Sequence, residues 1–304
     1  MIYRYSHKGV TWIDIDHPTD EDIETIVKEF GIDPQIAKEI SAPTNKPRVE
    51  LSADYIYLVL HFPVFKHSHK EKTDQEVDFI IGKDFLITAR YDTVDAIHKF
   101  GKKLEVSAIL DKKNIEYPIG YIFYIILKEI YHSIFDELAF IESWIKEVET
   151  KIFKGNEREM VFALSNVSRT LLDFKKITDM HKEVLITLEI AGKRLFGDHF
   201  PYYTRTALEE YHKIQNAIKS NMEVVVELRE TNNSLLDTKQ NEITKILTIL
   251  AFIAVPLSLI VSVFQIDTVS RPIIGTPYDF WILISFIFLA GATMFSFFKF
   301  KGWL

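Results

Sequence analysis

A helix facing only lipid has no use for hydroxyl or amide side chains, so their positions inside an apolar run carry information. Between Ile246 and Ile266 they are Thr248, Ser258, Ser262 and Gln265, with Asp267 just beyond and Asn241 and Thr244 just before the run. The positions 241, 244, 248, 251, 255, 258, 262 and 265 advance by alternating threes and fours, which is one face of a helix. That face reads Asn241, Thr244, Thr248, Ala251, Val255, Ser258, Ser262 and Gln265; Leu250, Ile253, Leu257, Ile260 and Phe264 lie opposite. Two kinds of chemistry use such a face. Small and polar side chains let membrane helices approach closely and hydrogen-bond. Alternatively, one such helix from each of several subunits lines a path for an ion, which requires a homo-oligomer if each chain contributes only two spans.

Other groups with suitable residue types read as structure. His61, His67 and His69 with Glu71 suggest a metal site, yet Lys66-His67-Ser68-His69-Lys70-Glu71-Lys72 has the composition of a solvated hairpin loop. Glu137, Glu142, Glu147 and Glu149 fall among Leu138, Ile141, Ile145 and Val148, the pattern of a helix with one wet face. No glycine-rich phosphate loop, trusted nucleophile–base order or zinc-ligand spacing occurs, so neither an enzyme nor a resident cofactor is expected.

The elements that must carry the polar face follow from where the charges are. Hydrophobic residues make up 47% of the 304 and charged residues 26%, but the charges lie almost wholly before about residue 245. Ile246 to Ile266 is 21 residues without a charge and Phe280 to Phe298 is 19. As helices they reach roughly 31 and 28 Å, the thickness of a bilayer's hydrocarbon core. The short link, with Pro272, Gly275 and Pro277, makes them antiparallel neighbours. Lys239 and Lys245 precede the first and Lys299 and Lys301 follow the second, while the link carries only Arg271. The positive-inside rule therefore puts both termini in the cytoplasm. The first eight residues lack the apolar core of a signal peptide, in agreement. A net charge of −7 argues against nucleic acid, and the absence of cysteine rules out thiolate metal sites and disulfides.

Before the spans, alternating or apolar runs at 10–15, 55–62, 77–81 and 85–90 predict strands, the last two joined tightly at Gly82-Lys83-Asp84. Thr19 with Asp20, Glu21 and Asp22 opens a helix that ends near Gly31, and a second starts after Asp33-Pro34. A small α/β domain over about 1–105 is expected. From 106 to 245 the chain reads as helical, with helices from about Ile119 to Phe153 and Glu157 to Ile190. No Gly or Pro occurs from Tyr202 to Val255, so a third helix continues into the membrane hairpin of 246–304.

The run Asn241-Glu242-Ile243-Thr244-Lys245-Ile246-Leu247-Thr248-Ile249, preceded by Leu235-Leu236-Asp237 and followed by Pro256-Leu257, resembles the stalk and first span of the CorA family of metal-ion transporters. Trp12-Ile13-Asp14, Pro47-Arg48 and the closing Lys299 to Trp303-Leu304 extend the resemblance over essentially the whole chain. It implies an α+β cytoplasmic domain, long stalk helices and a two-helix transmembrane hairpin, assembled as a funnel-shaped homopentamer in the plasma (inner) membrane. It further implies passive flux of divalent cations, magnesium first, through a pore lined by the first span. By position, Asn241, Thr244, Leu247, Val255 and Ser258 fall on the family's lining, and Ser262, Gln265, Ile266 and Asp267 follow at the mouth.

Two departures stand out. Where the family carries Gly-Met-Asn, this sequence has Gln265-Ile266-Asp267 after Phe264. Magnesium keeps its waters, and an amide ring accepts their hydrogen bonds without holding the ion tightly. Asp267 would replace that amide ring with a ring of carboxylates facing the hydrated cation, the fixed-charge filter of other cation channels. Pro201-Tyr202-Tyr203-Thr204-Arg205-Thr206 also lacks the acid that the family uses near the start of the long helix. A channel of other selectivity, or a non-conducting membrane scaffold or sensor, are the alternative expectations.

Overall fold

A computed structural model describes every residue except 8, 45, 65–73, 93, 95, 103–117, 268–272 and 304. Its elements run β1 (Ile2–His7), β2 (Val10–Asp16), α1 (Asp20–Phe30), α2 (Pro34–Glu39), β3 (Arg48–Leu51), β4 (Tyr55–Pro63), β5 (Asp74–Gly82) and β6 (Phe85–Arg90). A helical segment over 96–102 (α3) follows. Then come α4 (Ile119–Phe153), α5 (Glu157–Asp179), α6 (His181–Phe196), α7 (Phe200–Phe264) and α8 (Asp279–Phe300). The chain divides into two compact units, Met1–Arg229 and Glu230–Leu304.

In the first unit the strands form one sheet in the order β1-β2-β6-β5-β4-β3. The tight turn at Gly82-Lys83-Asp84 joins antiparallel β5 and β6, with Ile81 opposite Leu86. Strands β2 and β6 are parallel, Ile13 opposite Ile87. β1 and β3 are additional to the four runs that read as strands. Both are edge strands, held by pairing to one neighbour rather than by a long apolar run.

One face of the sheet (Ile13, Ile15, Tyr57, Val59, Ile80, Ile87) packs with Ile26, Ile36 and Ile40 from the α1–α2 region. Thr19 caps α1 as expected: its Oγ1 accepts from the Asp22 N–H at 3.3 Å while the Asp22 carboxylate accepts from the Thr19 N–H at 3.2 Å. On the other face Phe79 meets Phe123 of α4 with ring centres 5.4 Å apart. Covered on both sides, the interior strand β4 is buried throughout, which explains its near-continuous apolar sequence. Asp14 and Arg90 are paired inside this core at 3.2 Å, with Thr88 Oγ1 donating to the second Asp14 oxygen at 2.7 Å. Satisfying both oxygens is what lets a charge be buried there.

The helices bury one stripe each: Ile130, Ile134, Leu138, Ile141, Ile145, Val148 and Ile152 on α4, and Leu164, Val167, Leu171 and Phe174 on α5. The long α7 starts at Phe200, whose ring is seated against Gly192; a Cβ there would lie 2.0 Å from it. With no Gly or Pro between Glu157 and Ile190 the sequence predicts one helix, but the structure has two, interrupted at Met180. The break coincides with tertiary contacts. His181 is fully buried, its Nε2 lies 2.7 Å from the His61 carbonyl and its Nδ1 lies 3.0 Å from the Tyr131 hydroxyl. A carbonyl only accepts, so Nε2 carries the proton and Nδ1 accepts from Tyr131, which fixes a neutral imidazole.

Burial pushes the His181 pKa down, from 6.5 to about 4. The unfolded chain takes up this proton more readily than the folded one. The stabilisation is therefore complete above pH 6.5 and is lost as pH falls toward about 4. The loss is on the order of 3 kcal/mol over that window. Thermal unfolding of His181→Gln should show a shallower acid dependence across that range than the wild type. Equal slopes would mean that other groups control the acid sensitivity.

Candidate functional site

The second unit contains the end of α7 and all of α8, two helices long and apolar enough to cross a membrane. Within α7 the face predicted from the alternating spacing is left open by its own chain. Asn241, Thr244, Thr248, Ala251, Val255, Ser258, Ser262 and Gln265 are all exposed, as is Leu247 beside them. The covered side is the apolar one: Ile249 is buried and Ile253, Pro256, Leu257, Ile260 and Phe264 are half-buried. Leu250, expected opposite the polar face, is exposed at its flank. Helix α8 meets the covered side, where a Cβ on Gly291 would lie 3.5 Å from Leu257, and at the exposed edge the Phe252 ring lies 6.3 Å from that of Phe298. The polar face therefore does not serve the packing of one span on the other within a chain.

Its hydroxyls have a defined orientation. Thr248 Oγ1 donates to the Thr244 carbonyl at 2.8 Å, Ser258 Oγ to that of Ala254 at 2.8 Å, and Ser262 Oγ to that of Ser258 at 2.9 Å. Each hydroxyl proton is thus engaged by the preceding turn, which leaves the oxygen lone pairs as acceptors. A row of acceptors suits a cation, whether bare or carrying its waters as donors. Pro256 lies inside the helix, which continues through it to Phe264.

At its end α7 tightens. The Gln265 N–H donates to the Ser262 carbonyl at 3.2 Å and the Ile266 N–H to that of Val263 at 3.3 Å. Asp267, exposed, comes directly after these bonds. Carbonyls at a helix C-terminus bear partial negative charge, so a carboxylate there adds to a field that already favours cations. Gln265, Ile266 and Asp267 are accordingly brought to one place by the helix end, and Ser258, Val255, Leu247, Thr244 and Asn241 follow down the exposed side. Arg271 lies outside the described residues.

The other sequence candidates are structural where they are described. His61 is buried in β4, its Nε2 3.0 Å from both the Thr44 carbonyl and Glu76 Oε2. His67, His69 and Glu71 lie outside the described residues. Glu142 pairs with Lys146 at 2.8 Å and Glu147 with Lys151 at 2.7 Å, the solvated one-turn pairs of a wet helix face. Among the described residues no group of three His, Cys, Asp or Glu side chains could hold a metal ion. Sequence reading passed over Glu76 and Asp78, which with Asp74 alternate along β5, where their spacing was the available signal. Glu76 accepts from the Thr44 N–H at 2.7 Å, and Asp78 accepts from the Tyr57 and Tyr91 hydroxyls at 2.9 and 3.0 Å. Burial, and then the neighbouring Glu76, push the Asp78 carboxyl well above the usual carboxylate range.

Comparison with known proteins adds four findings of one kind. The family described as CorA-like Mg2+ transporter protein matches residues 7–301. The cobalt/magnesium transport protein CorA of Methanocaldococcus jannaschii is 26% identical over 96% of this chain and 91% of its own length. That of Thermotoga maritima is 23% identical over 97% of this chain and 83% of its own. The solved structure of the CorA magnesium transporter from M. jannaschii superposes with a TM-score of 0.85, covering 99% of this chain and 93% of that one.

Proposed function

Because this chain belongs to the CorA-like Mg2+ transporter family, we propose that it carries divalent cations across a membrane, magnesium first, along the polar face of α7. The observation that carries this reading is the row of outward acceptors on a span whose own hairpin partner leaves that row uncovered. Two spans cannot surround an ion, so the working molecule is a homo-oligomer, a pentamer by family. In it the α7 faces of the copies enclose the path and lipid meets the outer surfaces. Both termini lie in the cytoplasm and the 267–279 link faces out, in the inner membrane of a cell.

Asp267, Gln265 and Ile266 form the outer mouth, Ser262, Ser258 and Val255 the middle, and Leu247, Thr244 and Asn241 the inner end. A hydrated cation drawn to Asp267 would exchange hydrogen bonds from its water shell among Gln265, Ser262 and Ser258. The membrane potential supplies the drive, at roughly 2.3 kcal/mol per charge per 100 mV.

Flux into liposomes carrying the purified protein tests this, with magnesium, cobalt, nickel, zinc, sodium and chloride offered separately. Magnesium influx is the expected result. Passage of another ion in its place would move the reading to the same architecture with a different filter, for which the replacement of the family's Gly-Met-Asn by Gln265-Ile266-Asp267 is the specific reason. Silence under every gradient would leave a membrane scaffold.

A further inference from the structure

Two buried acids of β5 stand on the sheet face that α1 and α2 cover. Ile80 belongs to that face, and the alternation of a strand puts Glu76 and Asp78 there with it. Glu76 is well supplied as a carboxylate. The Thr44 N–H donates to its two oxygens at 2.9 and 2.7 Å, the Thr44 hydroxyl donates to Oε1 at 3.1 Å, and His61 Nε2 lies 3.0 Å from Oε2. Asp78 lacks such partners on one side. Its Oδ2 faces the Tyr57 and Tyr91 hydroxyls, but Oδ1 is buried with no hydrogen-bond partner, and the neighbour within hydrogen-bonding reach along the strand is the Glu76 carboxylate.

An ionised oxygen left bare in a core is costly, and a second carboxylate beside it adds repulsion. One proton removes both costs: on Oδ1 it makes Asp78 a donor to Glu76 and leaves Oδ2 to the tyrosines. The Tyr91 hydroxyl connects this proton to the helix layer. It has one hydrogen and two acceptors at 3.0 Å, Asp78 Oδ2 and the carbonyl of Ile40, the C-cap of α2. A carboxylate outcompetes a carbonyl for a donor, whereas a neutral acid does not. With Asp78 protonated, Tyr91 therefore holds Ile40; an ionised Asp78 draws the hydroxyl away.

Among the described residues the surrounding charges are arranged as follows. Arg48 of β3 lies over the Tyr57 ring, 5.6 Å from its centre, and pairs with Glu39 of α2 and with Glu50. Asp74 of β5 acts on His61. Arg90 is in register with Val77, so it and its partner Asp14 belong to the opposite face. Helices α1 and α2 bury Ile23, Ile26, Ile36 and Ala37.

We propose that Asp78 is held as a neutral acid sharing its proton with Glu76, and that this proton is a pH-sensitive latch: it lets Tyr91 fasten the end of α2 to the sheet, and its loss at alkaline pH loosens residues 40–44. The native carboxyl holds the proton more firmly than an unfolded one, whose ordinary value is 3.8. The stabilisation is complete below that value and is lost as pH rises through the raised native one.

The test uses the full-length protein in detergent. With isotope-labelled aspartate, infrared spectroscopy of the wild type at neutral pH should show the C=O stretch of a protonated aspartic acid, fading as pH is raised. Asp78→Asn, whose amide donates to Glu76 as the acid does, should lose this band and melt at least as high as the wild type. Its melting temperature should also fall less than that of the wild type above neutral pH. At one alkaline pH, amide exchange over 40–44 should be roughly tenfold slower in Asp78→Asn than in the wild type. A wild type without the band would overturn the proposal whatever the variant does, and so would a band that persists in Asp78→Asn. Parallel pH profiles of melting, or equal exchange over 40–44, would overturn it too, since a purely structural Asp78 carboxylate predicts both.

Discussion

Replacing Asp267 with alanine is expected to lower magnesium influx by roughly tenfold or more, because a ring of like charges at a narrow mouth concentrates counter-ions by about that factor. The helix end that precedes it sharpens the expectation. The Gln265 and Ile266 backbone N–H groups donate to the Ser262 and Val263 carbonyls, so the carboxylate follows a helix end whose partial charge is already negative. Raising the ionic strength should weaken wild-type influx at low magnesium and leave Asp267→Ala almost unaffected, since screening acts only on the charge that remains. Asp267→Asn separates attraction from selectivity. It keeps oxygens that accept hydrogen bonds from a water shell but removes the charge. It should therefore lower the influx at low magnesium while narrowing the set of ions admitted. Full magnesium influx through Asp267→Ala, measured by an indicator inside the liposomes, would remove Asp267 from the path.

The second large effect is expected at Ser258. Its hydroxyl donates to the Ala254 carbonyl, so its oxygen faces outward as an acceptor in the middle of the exposed side. Ser258→Leu would replace that acceptor in every subunit with a branched apolar group, and a ring of such groups forms a constriction that expels water. Influx of every cation should fall to the background of empty liposomes, with the oligomer still intact by native mass measurement. Ser258→Thr, which preserves the back-bonded hydroxyl, should conduct. Leu250→Ala supplies the control, because Leu250 is also exposed but lies off the polar face. If Ser258→Leu conducts like the wild type, or if it instead breaks the oligomer, the face serves helix packing between copies and the ion path lies elsewhere.

Both predictions use residues legible without coordinates, and the reason is periodicity. A helix repeats its faces every three or four residues, so Thr244, Thr248, Ser258 and Ser262 announce a common side as soon as their spacing is counted. The two apolar runs, the Thr19 cap and the tight turn at Gly82-Lys83-Asp84 are likewise local, settled by residues within one element. The departure at Gln265-Ile266-Asp267 is also a matter of sequence alone.

What sequence could not supply were the contacts between residues far apart along the chain. The break at Met180 has no Gly or Pro to mark it. It goes with the hydrogen bonds that His181 donates to the His61 carbonyl and accepts from the Tyr131 hydroxyl, 120 and 50 residues away. Strands β1 and β3 owe their existence to partners, and the parallel pairing of β2 with β6 joins segments some seventy residues apart. The polar face shows the division most directly. Its membership followed from spacing, yet spacing was equally compatible with packing against α8. Only the three-dimensional arrangement, with Ile249 buried and Leu257 against Gly291, showed that the hairpin closes on the apolar side and leaves the acceptors uncovered. Local order is written in the period of side chains along one element. Which side faces which neighbour depends on the shapes of two elements together, and one helix alone does not contain that information.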